Sequence, residues 1–95
     1  MIITVMYDIS ENKIRKNVVE TLEEFGFYRL QKSVFIGNID KELRKSLSVY
    51  MSRFLKREDK IYIIPLTKWC MSHILTAGND VRPIFSVIRK NQFTV

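Results

Sequence analysis

The feature that most narrows the fold is a change of hydrophobic period inside the first 26 residues. Residues 2–7, IITVMY, are β-branched, aromatic and nearly all apolar, the pattern of a central strand buried on both faces. The following segment switches period. Ile14, Val18, Leu22 and Phe25 recur at helical spacing with Val19 beside them, which draws one apolar stripe along a helix. Ser10 is the expected N-cap, Glu11 suits the positive end of the helix dipole, and Gly26 stands as the C′ residue.

Downstream, residues 27–31, FYRLQ, and 33–37, SVFIG, read as two short strands, or as one strand with an irregularity at Lys32. Gly37 and Asn38 are expected to turn the chain, and Asp40 to cap a second helix over about 41–56. That helix carries Leu43, Leu47, Tyr50, Met51 and Phe54 on one stripe. Its other face holds Lys41, Arg44, Lys45, Ser48, Ser52 and Arg53. Residues 60–66, KIYIIPL, form another buried strand, which Pro65 places at or near a sheet edge.

The order β-α-β-β-α-β is that of a ferredoxin-like α+β domain, an antiparallel sheet with both helices on one face. Apolar residues on both registers of the first and last strands argue against leaving the second face in water. A second copy of the chain, or its C-terminal segment, is expected to cover it. In that segment a short helix over about 68–76, with Met71, Ile74 and Leu75, leads to Gly78, Asn79 and Asp80. Residues 83–88, PIFSVI, then read as one more strand, added to an edge of the same sheet or of a partner's. The expectation is a single domain over residues 1–95, with a core over about 1–78 and a C-terminal strand segment over 79–95.

Composition agrees with one small domain. Apolar residues make up 46% of the 95, and only three Gly and two Pro interrupt them. Sixteen Lys and Arg against ten Asp and Glu leave +6, which suits a polyanionic partner and equally suits plain solubility. A single cysteine, Cys70, cannot form an internal disulfide and favours a reducing cytoplasm. The apolar start is too short to span a membrane and has no basic region before it, so neither an anchor nor a signal peptide is expected.

The segments VMYDIS, Arg15, Gly26 and YRLQKSVFIG, taken in order, resemble one family. They are similar to the CRISPR-associated protein 2 family: an apolar strand ending in Tyr-Asp-Ile, an Arg seven residues after the Asp, a Gly closing the helix, then Gln-x-Ser-Val-Phe-x-Gly. Here these are Tyr7, Asp8, Ile9, Arg15, Gly26, Gln31, Ser33, Val34, Phe35 and Gly37. The resemblance covers residues 1–37 closely and 58–78 more loosely. It implies a ferredoxin-like fold and a two-fold homodimer, with residues 79–95 as dimerisation segment. It also implies a role in CRISPR adaptation, in which the dimer bridges integrase subunits and binds duplex DNA. For some members it implies a metal-dependent nuclease acting on RNA or DNA.

Asp8 alone is too few ligands for a hard divalent cation. At a two-fold axis, Asp8 of both subunits would share one Mg2+ or Mn2+, able to activate a water or polarise a phosphoryl group. By strand alternation Tyr7 points to the opposite face from Asp8. The family pattern makes Arg15 and Arg29 catalytic or phosphate-binding residues beside Asp8. Lys16 keeps that region basic, although Asn17 stands where some relatives carry a further Arg. Ser33 has no base within sequence reach, so its expected role is a hydrogen bond to phosphate or backbone. Lys41, Arg44, Lys45 and Arg53 are either a solvated helix face or a track for a nucleic-acid backbone. Cys70 and His73, at i, i+3, lack the companions of a zinc site, and Trp69 reads as a packing residue. Two further functional classes stand beside the adaptor: a metal-dependent endoribonuclease or DNase, and a toxin-type ribonuclease on a related ferredoxin-like fold.

Overall fold

In a computed structural model of the chain, residues 1–92 are described. The elements run β1 (Ile2–Asp8), α1 (Asn12–Glu24), β2 (Tyr28–Gln31), β3 (Val34–Asn38), α2 (Lys41–Ser52), β4 (Lys60–Pro65), α3 (Lys68–Ser72) and α4 (Arg82–Gln92). The four strands form one antiparallel sheet in the order β2-β3-β1-β4, the ferredoxin-like arrangement. The sequence-based placement of Pro65 holds, since it closes the edge strand β4 opposite Ile3.

Alternation along β1 sends Ile3, Val5 and Tyr7 to one face, where they meet Phe35, Ile61 and Ile63 from the flanking strands. Ile14, Val18 and Leu22 of α1 and Leu47 and Met51 of α2 close this layer. Phe25, Leu43 and Tyr50 were expected on those stripes but are 39%, 42% and 47% exposed. In α1, Thr21 is buried in place of Phe25, its hydroxyl donating to the Asn17 carbonyl at 2.8 Å, and this bond lets a small polar residue enter the interface. In α2 the inner stripe is narrower than read, because the half-buried Arg44 shares it with Leu47 and Met51.

The second face of the sheet holds the main correction. Residues 83–88 do not form a strand. They lie in α4, whose Ile84, Val87 and Ile88 pack against Ile2, Ile36, Leu30 and Leu66. The reason is legible in hindsight. Ile84, Val87 and Ile88 fall at i, i+3, i+4, while Arg82, Ser86, Arg89 and Lys90 are exposed, which is a helical and not an alternating pattern. Arg89 and Lys90 also occupy the last turn, where cations suit the helix dipole. The C-terminal segment therefore does cover the second face, as a helix. It leaves part of β4 bare: Tyr62 and Ile64 remain 55% and 41% exposed. Positions 93–95 of the expected dimerisation segment lie outside the described residues.

Two cap assignments also change. Glu11, not Ser10, is the N-cap of α1, and its side chain makes no capping bond; it pairs instead with Lys56. Asp40 does stand at the N-cap of α2, again without a side-chain capping bond. Gly26 has the left-handed φ (+82°) that a C′ residue needs. Gly37 is inside β3 and not in a turn, and the reason for glycine is space: a Cβ there would stand 2.6 Å from the Phe27 ring. Gly37→Ala is expected to destabilise the fold by about 1–3 kcal/mol through overpacking, read as a lower urea midpoint with unchanged slope.

Candidate functional site

The antiparallel order brings four strand termini to one end of the sheet: the end of β1 at Asp8, the end of β2, the start of β3 and the start of β4 at Lys60. Asp8 is exposed and sits opposite Lys60 in the β1–β4 ladder, so the two side chains leave the same face. Tyr7, on the other face, is buried in the core as alternation requires. Among the described residues no ion pair or hydrogen bond engages the Asp8 carboxylate.

The β2–β3 connection at this end is a two-residue turn, Lys32–Ser33. Two-residue hairpin turns favour positive φ, yet neither residue adopts it. The register shifts between Arg29 and Gln31, a bulge that absorbs the mismatch in twist. Side chains then hold the turn in place. The Lys32 carbonyl accepts from the Tyr7 hydroxyl at 2.9 Å and from Arg29 Nη2 at 3.0 Å. The Ser33 carbonyl accepts from the Tyr7 backbone N–H at 3.1 Å. The Arg29 guanidinium lies 5.3 Å from the centre of the Phe35 ring, which is itself stacked at 6.3 Å on Tyr7.

Arg15 reaches back from the first turn of α1, and its Nη1 donates to the Ile9 carbonyl at 3.1 Å. That bond fixes the arginine beside the exit of β1, one residue from Asp8. Lys16 instead faces Glu20 across 4.0 Å on the exposed side of α1. The Lys56–Glu11 pair ties the loop before β4 to the start of α1. The hydrogen bond to Glu11 and its charge raise the Lys56 pKa. Lys60 and the Lys32 carbonyl are the parts of this end that sequence reasoning missed; β-ladder pairing, which no single sequence displays, brings Lys60 to Asp8.

The cations of α2 form a separate surface. Lys41 and Lys45 share a row with Ser48 and Ser52, while Arg44 lies at its inner border with Ile63. Arg53 groups with Lys45, Ser46, Val49 and Tyr50 on the outer side. Twelve helical residues place these charges over about 18 Å. Among the described residues none of the four is in an ion pair.

No group of three or more His, Cys, Asp or Glu side chains gathers as a metal site among the described residues. One exposed carboxylate with free oxygens fits a share in a Mg2+ or Mn2+ shell but does not complete one. A second Asp8 from another copy would be needed. His73 is engaged otherwise: its Nδ1 lies 2.8 Å from the Trp69 carbonyl, and its ring stacks at 4.1 Å on Trp69. Trp69 is thus not a core residue, being 67% exposed. The Thr67 hydroxyl, bonded to the Cys70 backbone N–H at 3.1 Å, lowers the Cys70 thiol pKa.

These features define a class: a small ferredoxin-like protein with an acid and two anchored arginines at one end of its sheet. A family model for the CRISPR associated protein Cas2 matches residues 1–74. The chain is 35% identical over 80 residues, 83% of its length and 85% of the relative's, to a "CRISPR-associated endoribonuclease Cas2 1" of Archaeoglobus fulgidus. It is 34% identical over 56 residues to a "CRISPR-associated endonuclease Cas1/endonuclease Cas2 fusion" of Thermoproteus tenax, covering 59% of this chain and 21% of that one. Its fold superposes on Streptococcus pyogenes Cas2 with a TM-score of 0.71 at 20% identity, across 82% of this chain and all of the other. The chain belongs to the Cas2 family.

Removing the Tyr7 hydroxyl tests the clamp on the turn. Tyr7→Phe is expected to cost about 0.5–1.5 kcal/mol and to speed amide exchange in the β2–β3 hairpin, as followed by hydrogen exchange.

Proposed function

We propose that this protein serves CRISPR adaptation as a homodimer that holds duplex DNA on the basic faces of its α2 helices and seats integrase subunits. The basic surface of α2, on a Cas2 fold, is the observation that carries this reading. Two chains of +6 make a dimer of +12, and lysine and arginine contacts to phosphate are indifferent to base sequence. An integrase partner is supported by the Thermoproteus tenax relative, in which a Cas1 and a Cas2 are named as one fused chain. The uncovered part of the sheet around Tyr62 and Ile64 is an apolar surface suited to a second copy. The lone cysteine suits a reducing cytoplasm, and no described helix is long and apolar enough to cross a membrane.

The test is a filter-binding titration of duplex DNA at several salt concentrations. Arg44→Gln, Lys45→Gln and Arg53→Gln together are expected to weaken binding more than tenfold. They should also reduce the log–log salt slope by about 2.7 for each protomer. An unchanged slope would move the duplex off α2. Asp8→Ala is expected to leave spacer acquisition intact, and its loss with the dimer preserved would sink the purely structural role.

A second reading, metal-dependent phosphodiesterase, is favoured by the unengaged Asp8 carboxylate and by the endoribonuclease name of the Archaeoglobus relative. In it Asp8 of both copies holds one Mg2+ or Mn2+, which supplies Lewis acidity. Arg15 and Arg29 bind the phosphodiester, with Lys16 and Ser33 at its margin. Purified protein with single-stranded RNA or duplex DNA, in Mg2+, Mn2+ or EDTA, decides this. Metal-dependent cleavage should disappear in Asp8→Asn, and cleavage that survives the substitution belongs to another site.

A further inference from the structure

On the sheet face opposite α1 and α2, cross-strand pairs run toward the end of β1: Thr4 with Ile64, Met6 with Tyr62 and Asp8 with Lys60. Alternation puts these six side chains on one side, because Tyr7, Ile61 and Ile63 occupy the other. The first two pairs belong to the bare surface at Tyr62 and Ile64. The third closes it with one negative and one positive charge, both exposed. Other charged groups at this end are engaged elsewhere. Glu11 pairs with Lys56, and the Asp59 carboxylate accepts from the Lys56 backbone N–H at 2.8 Å. Arg15 and Arg29 donate to the Ile9 and Lys32 carbonyls. Among the described residues the Lys60 ammonium is in no ion pair or hydrogen bond.

We propose that Lys60 is a built-in counter-ion for the paired Asp8 carboxylates, closing the dimer end without metal and holding its affinity for divalent cations down. The proposal rests on the reading above, in which a second copy brings two Asp8 side chains together. Two carboxylates in contact repel each other, and a metal is one way to offset that. Lys60 is another, because each copy carries its own lysine one strand from its Asp8. The four charges then sum to zero. Covering Met6, Tyr62 and Ile64 with the second copy also removes water beside them, which strengthens attraction between the opposite charges. The ammonium offers three donors on a flexible stem, so it can reach Asp8 of its own copy or of the other. It cannot diffuse away as a solvent cation does. A divalent cation must therefore enter against two fixed positive charges.

The full chain is titrated with Mn2+, the free ion being followed by electron paramagnetic resonance, and its dimerisation is measured in EDTA by analytical ultracentrifugation. Lys60→Gln is expected to bind Mn2+ about tenfold more tightly than wild type, and Lys60→Arg to bind like wild type. Raising the ionic strength should narrow the gap, and adding Asp8→Asn to Lys60→Gln should abolish the gain. In EDTA the wild type should remain a dimer, whereas Lys60→Gln should dimerise about tenfold more weakly and recover with Mn2+. Equal Mn2+ affinity in wild type and Lys60→Gln, with binding lost in Asp8→Asn, overturns the counter-ion and leaves the metal reading standing. So does a Lys60→Gln dimer as tight as wild type in EDTA. Mn2+ binding that is absent throughout, or that survives Asp8→Asn, overturns the metal reading and the proposal together. Wild-type protein that is monomeric in EDTA also overturns the proposal.

Discussion

The structure depends on burying β1 from above and below while pairing it on both edges. Ile3 and Val5 are fully buried against the α1–α2 layer, and Ile2 is buried under α4. Each such side chain contributes about 1.5–3 kcal/mol on leaving water. Because β3 and β4 both pair with β1, every other element is placed by reference to it. The strand leaves this three-layer region at Asp8, and that exit is what puts a carboxylate into solvent at the end of an apolar run.

At the same end, the family pattern acquires physical reasons. Tyr7 is buried, yet its hydroxyl and its backbone N–H both hold the Lys32–Ser33 turn. Phe35 is fully buried in the core and carries the Arg29 guanidinium over its ring. Gly37 leaves room for Phe27. Arg15 is tied to the carbonyl of Ile9, so Asp8 is flanked by groups whose positions are set by hydrogen bonds. These residues pre-organise the strand end whether or not chemistry occurs there.

The three layers also separate two basic surfaces. The α2 row stands on one side of the sheet and the exposed Arg82, Arg89 and Lys90 of α4 on the other, so contacts made by one are not shared by the other. Between them, the uncovered stretch at Tyr62 and Ile64 is apolar. Charge on the two helical layers and apolar surface on the bare half of the sheet give the molecule faces of different chemistry.

Much of this was legible in the chain itself. The period switch between IITVMY and α1, the second helix and KIYIIPL specified the βαββαβ order, and alternation alone put Tyr7 on the face opposite Asp8. Sequence also singled out Asp8, Arg15 and Arg29, through a spaced motif and not through periodicity. What it misjudged depended on neighbours. PIFSVI is β-branched enough to be a strand, and only the bare face over Ile2 and Ile36 makes a helix there worth forming, because tertiary burial outweighs local propensity. Ser10 was a good cap in isolation, but α1 begins later, with Glu11 drawn to Lys56 from 45 residues away. Lys60 beside Asp8 is likewise a pairing made by the sheet. The sequence by itself determined which segments are apolar and with what period, and hence the order of elements. Only the tertiary structure decided which distant side chains share a face, because that is set by strand register and layer packing and not by spacing along the chain.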